Sequence, residues 1–322
     1  MRPTMLRLPL RAVSRCRYAP HSVPFKTLPA ASFSTCGAHQ ATEGAPVTRP
    51  GLVDKSKATK KQFADYDLAG KTYVVTGGAR GLGLALAEAL VEAGGKVFCL
   101  DRADRPHQDW QEASKRVVPE WGGSLAYRKQ DVTDTEHLRQ TMEDIAAESG
   151  RLDGVIAAAG IQKLCPATEY TAQDAQHMMA INYTGVLQTA SAAARIMLRQ
   201  GRPGSICLVA SMSGSVANKG LVSPVYNSSK AAVIQLARNL AMEWSPKGVR
   251  VNCLSPGHIL TPMVRDNLRE VPGLKDTWEA ENMMGRLAEP HEFKGAALFL
   301  LSNASSFMTG GNLIIDGGHT AW

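Results

Sequence analysis

The sequence predicts a doubly wound α/β fold built on a seven-stranded parallel sheet. Seven short apolar runs recur along the chain, longer segments with helical spacing separate them, and a glycine-rich turn joins the first run to the first helix. With 322 residues, 44% of them hydrophobic and 20% charged, the chain can bury one large core, and no internal repeat or low-complexity tract divides it.

The N-terminal segment stands apart from that pattern. From Met1 to Thr42 there is no Asp or Glu, while Arg2, Arg7, Arg11, Arg15, Arg17 and Lys26 alternate with Leu6, Leu8, Leu10, Val13 and hydroxyl residues. This is the composition of a mitochondrial targeting leader, and it implies a soluble matrix protein once the leader is removed. A helix there would carry Arg7, Arg11 and Arg15 on one face, although Pro9 weakens it. A basic tail without an address is the other reading. Residues 1–42 are assigned to the leader and 43–64, where Pro, Gly, Lys and Thr mix, to a linker or N-terminal arm.

Charge follows the same division. The formal net charge is +7, but residues 1–62 hold eleven Lys and Arg against two acids, so the remainder is slightly negative. The basicity belongs to the leader and does not point to nucleic acid. No apolar run reaches the 18 or more residues that a membrane span needs.

A single catalytic domain is expected over residues 65–322. Its strands are expected at Tyr73–Thr76, Lys96–Leu100, Ser124–Tyr127, Gly154–Ala158, Ser205–Ala210, Val249–Leu254 and Asn312–Ile315. Between them, Leu82–Ala93 is closed by Gly94 and Gly95, and Thr135–Glu148 begins at Asp134 as N-cap and stops before Gly150. Six cysteines form no C-x-x-C pair, and three sit in strand runs, so packing thiols are expected, with neither disulfides nor a metal.

The first strand runs into Thr76-Gly77-Gly78-Ala79-Arg80-Gly81-Leu82-Gly83, and a helix follows at once. Glycines permit positive φ and close approach of a pyrophosphate, whose oxygens the free amides and dipole of the helix N-terminus attract. Gly77, Arg80, Gly81, Leu82 and Gly83 are thus candidate contacts to a dinucleotide in a Rossmann arrangement, although a tight structural turn would look the same locally. The second strand ends at Asp101, placed to accept hydrogen bonds from both adenosine ribose hydroxyls, which favours NAD over NADP. Arg80 and Arg102 argue the other way, since a guanidinium pairs with a 2′-phosphate. Asp131, at the end of the third strand, is a candidate acceptor for the adenine amino group or a plain turn aspartate.

Of the seven tyrosines, Tyr226 alone has a lysine four residues later, Lys230, at the start of the long apolar-periodic stretch Ala231–Trp244. Positions i and i+4 share a helix face. A phenol with a reference value near 10 is a poor acid or base at neutral pH, and an adjacent ammonium favours its phenolate. Upstream, the fifth run leads into Ser211-Met212-Ser213-Gly214, which puts hydroxyls at the carboxyl edge of the sheet, where open α/β folds bind ligands.

Together these motifs resemble the short-chain dehydrogenase/reductase family over about residues 65–322. The resemblance implies Tyr226 as general acid/base, Lys230 lowering its pKa and binding ribose, a serine orienting the substrate oxygen, and Asn182 supporting a water-mediated proton relay. It also implies cofactor contacts from Asp131, Val132, Ala158, Ile259 and Thr261, and a homodimer or homotetramer. Strand alignment makes the serine Ser211, whereas the family's usual spacing points to Ser213. The fourth strand ends in Ala157-Ala158-Ala159-Gly160, where the family commonly has asparagines.

The implied activity is NAD(P)-dependent interconversion of a secondary alcohol and a ketone in a small-molecule substrate. The Ser-Met-Ser-Gly form and the C-terminal Asp316-Gly317-Gly318-His319-Thr320-Ala321-Trp322 look like fungal polyol dehydrogenases and sorbose reductase. A 3-oxoacyl thioester or a secondary-metabolite ketone is the alternative substrate, and a non-catalytic nucleotide-binding regulator is the alternative class. Substrate choice is expected in a loop over residues 262–290, with Met263, Trp278, Met283 and Met284 lining a pocket or packing a lid.

Overall fold

The computed structural model describes residues 63–218 and 222–322. The expected leader, and the arm up to residue 62, lie outside the described residues. All seven apolar runs are strands: β1 (Thr72–Thr76), β2 (Lys96–Asp101), β3 (Ser124–Lys129), β4 (Gly154–Ala157), β5 (Gly204–Val209), β6 (Val249–Pro256) and β7 (Asn312–Ile315). The central strands β1 and β4 are buried throughout, which is why their sequences are continuously apolar rather than alternating.

The strands form one parallel sheet in the order β3-β2-β1-β4-β5-β6-β7. The chain steps outward from β1 through β2 to β3 and then returns to place β4 on the other side of β1. The order therefore reverses between β1 and β4, and such a switch point opens a crevice at the carboxyl ends of the strands.

Nine α-helices among the described residues connect the strands: α1 (Gly81–Glu92), α2 (Asp109–Lys115), α3 (Thr135–Ser149), α4 (Ala172–Met179), α5 (Val186–Gln200), α6 (Pro224–Trp244), α7 (Pro262–Glu270), α8 (Leu274–Ala280) and α9 (Lys294–Leu301). Asp134 caps α3 by accepting from the His137 amide, as its spacing predicts, and Gly150 closes it. Pro224 opens α6 in the first turn, where its missing N–H costs nothing.

Pleating sends alternate strand residues to two cores. Val74, Phe98, Leu100 and Val155 meet Leu138, Met142, Ile196, Val233 and Leu240 of α3, α5 and α6. Tyr73, Val75, Cys99 and Ile156 meet Leu86, Leu90, Ala297 and Leu300 of α1 and α9. Cys99, Cys207 and Cys253 are free and buried in these cores, and burial pushes each thiol above its ordinary value, Cys253 to about 12. They stay protonated and pack.

The region expected as a substrate loop is largely helical. α7 and α8 fold over a small separate core of Val264, Leu274, Trp278 and Leu287. Its far end is latched to the C-terminal turn: Asn282 Nδ2 donates to the Asp316 carbonyl at 3.2 Å, and the Met284 amide to the Gly317 carbonyl at 3.1 Å.

Candidate active site

The glycine turn leaves β1 with Gly77 at φ 71°. A Cβ on Gly77 would lie 2.8 Å from the Ala159 backbone, and one on Gly83 would lie 2.2 Å from the Gly77 oxygen. The turn is therefore pressed between the end of β4 and the first turn of α1, a closeness that side chains at these positions would prevent. Arg80 precedes α1 without a capping side-chain hydrogen bond. The first amides of α1 thus remain available, and with the helix dipole they suit a pyrophosphate. The cradle a Cβ would fill, the uncapped amides and a carboxylate at the end of β2 fit a dinucleotide.

Asp101 is that carboxylate. Its Oδ2 accepts from the Ala79 amide at 3.3 Å, tying the ribose position to the turn. Asp131 spends one oxygen locally: Oδ1 accepts from the Thr133 amide at 2.8 Å and the Thr133 hydroxyl at 2.7 Å, bonds that hold its carboxyl below the ordinary range. The alanines ending β4 lack the family's amide side chains, yet the Ala158 amide still donates to the Thr76 carbonyl at 3.1 Å. Thr261 caps α7, its hydroxyl accepting from the Val264 amide at 3.3 Å.

α6 carries the reactive pair. Tyr226 is half-buried and Lys230 is only 4% exposed, with Nζ 5.6 Å from the Tyr226 ring centroid and donating to the Val209 carbonyl at 2.9 Å. Burial lowers the Lys230 ammonium to about 8. Burial also raises the Tyr226 phenol, opposed by a hydrogen bond from Ser211. Lys230 Nζ lies over the ring face and spends one of its three N–H groups on Val209.

The same hydrogen bond separates the two serines. Ser211, just past β5, faces Tyr226, whereas the Ser213 hydroxyl accepts from Asn218 Nδ2 at 2.5 Å. Both are buried.

Asn182 lies beside Lys230, a Cβ on Gly160 being 3.5 Å from both Asn182 Oδ1 and Lys230 Nζ. It is fully buried in a π-helical turn, Ala180–Gly185, and brackets Ile161: Oδ1 accepts from the Ile161 amide and Nδ2 donates to the Ile161 carbonyl, both at 2.9 Å. Nδ2 also donates to Ser229 Oγ at 3.1 Å, and that hydroxyl donates to the Tyr226 carbonyl at 2.7 Å. The side chain is committed to holding the post-β4 segment and α6 in register.

Every other expected site residue lines one cavity of about 300 Å³: Gly77, Arg80, Gly81, Leu82, Gly83, Asp101, Asp131, Val132, Ala158, Ser211, Tyr226, Lys230, Ile259 and Thr261. Met263 and Trp278 join them, but Met283 and Met284 do not, because the latch to the C-terminal turn holds them on the exposed side. Gln162, His177 and His258 also line it and were not singled out from sequence. His177 and Gln162 belong to no motif, and only His258's place directly after Pro256-Gly257 could have drawn notice.

The model of the family described as enoyl-(acyl carrier protein) reductase matches residues 77–320. A D-arabinitol 2-dehydrogenase (ribulose-forming) of Candida albicans is 37% identical over 272 residues, covering 80% of this chain and 95% of that protein. An NADH-dependent L-xylulose reductase of Ambrosiozyma monospora is 33% identical over 265 residues, covering 79% of this chain and 96% of the relative. Among solved structures, a short-chain type dehydrogenase/reductase from Mycobacterium marinum is 36% identical with a TM-score of 0.73, covering 80% of this chain and 98% of that one. The NADPH-dependent 3-quinuclidinone reductase of Rhodotorula rubra is 34% identical, also with a TM-score of 0.73, covering 82% and 96%. The parallel sheet, the dinucleotide cradle and these likenesses converge: the chain belongs to the short-chain dehydrogenase/reductase family and is an NAD(P)-dependent oxidoreductase that interconverts an alcohol and a ketone.

Proposed function

We propose that the chain interconverts a polyol and the corresponding ketose, with Tyr226 as the proton-transferring group and NAD as the preferred nucleotide. The observation that carries this reading is the convergence of Ser211, Tyr226 and Lys230 on one cavity with the glycine cradle and Asp101. The arabinitol and xylulose relatives supply the substrate class.

Gly77, Arg80, Gly81, Leu82 and Gly83 would hold the pyrophosphate, Asp101 the adenosine ribose, and Asp131, Val132 and Ala158 the adenine side, with Ile259 and Thr261 toward the nicotinamide. When bound, the nicotinamide supplies the hydride exchange. Tyr226 Oη, kept protonated by burial, delivers its proton to the carbonyl oxygen in the reductive direction. Ser211 holds that oxygen and stabilises the phenolate left behind. Lys230 brings a buried ammonium beside the ring and the ribose site. Asn182 fixes the post-β4 segment against α6, keeping Tyr226 in place.

Asp101 supports NAD because a carboxylate repels a 2′-phosphate, and the xylulose reductase relative is NADH-dependent. Arg80 and Arg102 in the same cavity, and the NADPH-dependent quinuclidinone reductase, mark the competing influence.

Tyr226→Phe tests the chemistry. The variant should bind NADH as wild type does and lose at least about a thousandfold in turnover of a pentitol; near-wild-type turnover refutes the role of Tyr226. We further propose a homodimer or homotetramer in the mitochondrial matrix, on the family likeness and the basic leader. Light scattering tests the first, a monomer being the adverse result. A fluorescent protein carrying residues 1–42 tests the second, and diffuse cytosolic signal would overturn it.

A further inference from the structure

Three ring nitrogens beside the cavity have no hydrogen-bond partner among the described residues: His258 Nε2, Trp278 Nε1 and His319 Nδ1. His258 follows β6, Trp278 lies on α8, and both line the cavity that holds Tyr226. They are 7% and 1% exposed. Their rings stack with centroids 3.9 Å and planes 6° apart, and His319 meets His258 edge-on at 5.4 Å.

Polar atoms this deeply buried are nearly always paired, and leaving one unpaired destabilises the fold. Packing gives no reason for them, since phenylalanine at either position would stack without that cost. Burial and the neighbouring His319 lower His258 to about 3, so its ring is neutral at physiological pH, with one nitrogen donating and the other accepting. Indole only donates. A hydroxyl does both, so one hydroxyl can serve the two rings together.

We propose that the His258–Trp278 stack is the hydroxyl-recognising wall of the substrate site, pairing with hydroxyls of a polyol or ketose away from the reacting carbon. The inference rests on the polyol reading above. Both nitrogens are covered while the stack is closed, so recognition requires the α7–α8 unit to shift as substrate enters. Trp278 belongs to that unit's own small core with Val264, Leu274 and Leu287, which lets it shift without opening the main cores. The wall would set substrate class: an alcohol without extra hydroxyls gains nothing from it.

The experiment measures kcat/KM with NAD for a linear pentitol and for 2-pentanol in wild type, His258→Phe, Trp278→Phe and His258→Gln. Each ratio is taken within one preparation, so incomplete folding does not move it, and NADH affinity serves as a second control. The pentitol/2-pentanol ratio should fall about tenfold or more in both phenylalanine variants, mainly through KM. His258→Gln, which keeps a donor and an acceptor, should retain most of it. An unchanged ratio in both phenylalanine variants, with wild type oxidising the pentitol, overturns the wall and leaves the polyol reading standing. Wild-type turnover of 2-pentanol without any pentitol turnover overturns the polyol reading and the wall with it.

Discussion

Replacing Lys230 by methionine should make the nucleotide-free protein more stable at pH 7 while it loses activity. Burial brings the ammonium from the ordinary lysine value of 10.5 to about 8. At about 1.4 kcal/mol for each pH unit between those values, the buried charge costs the folded chain about 3 kcal/mol when both states are protonated. Methionine removes that cost and fills a similar volume, but it leaves the Val209 carbonyl without its 2.9 Å donor, a loss of about 1 kcal/mol. The net expectation at pH 7 is a gain of about 2 kcal/mol for the variant.

The pH dependence identifies the cause. Between about 8 and 10.5 the folded lysine has lost its proton and the unfolded one keeps it, so the unfolded state binds more protons and wild-type stability rises with pH. The variant has no such group, and its advantage should shrink across this window and vanish near pH 10. Urea unfolding of both proteins, followed by tryptophan fluorescence at pH 7 and pH 10, measures it. A variant less stable at pH 7, or a difference equal at the two pH values, refutes the reasoning. Turnover should fall at least about a hundredfold, as expected where a site keeps a destabilising group for its chemistry.

Gly83→Ala places a Cβ 2.2 Å from the Gly77 oxygen, so the turn and α1 must part; calorimetric titration should show NADH affinity down at least about tenfold, with a stability loss of about 2 kcal/mol by urea unfolding. Asn182→Ala strands the amide and carbonyl of Ile161 and should cost about 3 kcal/mol in the same assay, whereas a loss below about 1 kcal/mol would mean the bracket is dispensable. Asp101→Ala should raise the NADP/NAD affinity ratio at least about tenfold in fluorescence titrations, and an unchanged ratio would show that Asp101 does not select the nucleotide.

Much of this site is legible in sequence because its determinants are local. Gly77 to Gly83 announce a strand-to-helix turn through their own backbone requirements, Tyr226 and Lys230 share a face through helical spacing alone, and β1 and β4 are continuously apolar because both their faces are covered. Other features depend on partners distant in the chain. The Asn182 side chain braces Ile161 and Ser229, residues 21 and 47 positions away. Spacing places Lys230 beside Tyr226, but the hydrogen bond its Nζ donates to the Val209 carbonyl at 2.9 Å depends on β5. Met283 and Met284 have pocket-lining character, but the latch to the C-terminal turn turns them outward.

The sequence by itself determined the doubly wound class, the strand order's ingredients and the identity of the turn and the Tyr-Lys pair, because periodicity and backbone freedom act over a few residues. Only the tertiary structure decided which serine meets the phenol, what Asn182 braces, and that His258, Trp278 and His319 come together. Those outcomes depend on desolvation and on competition for hydrogen-bond partners, and both are fixed only when segments far apart in the chain close around one cavity.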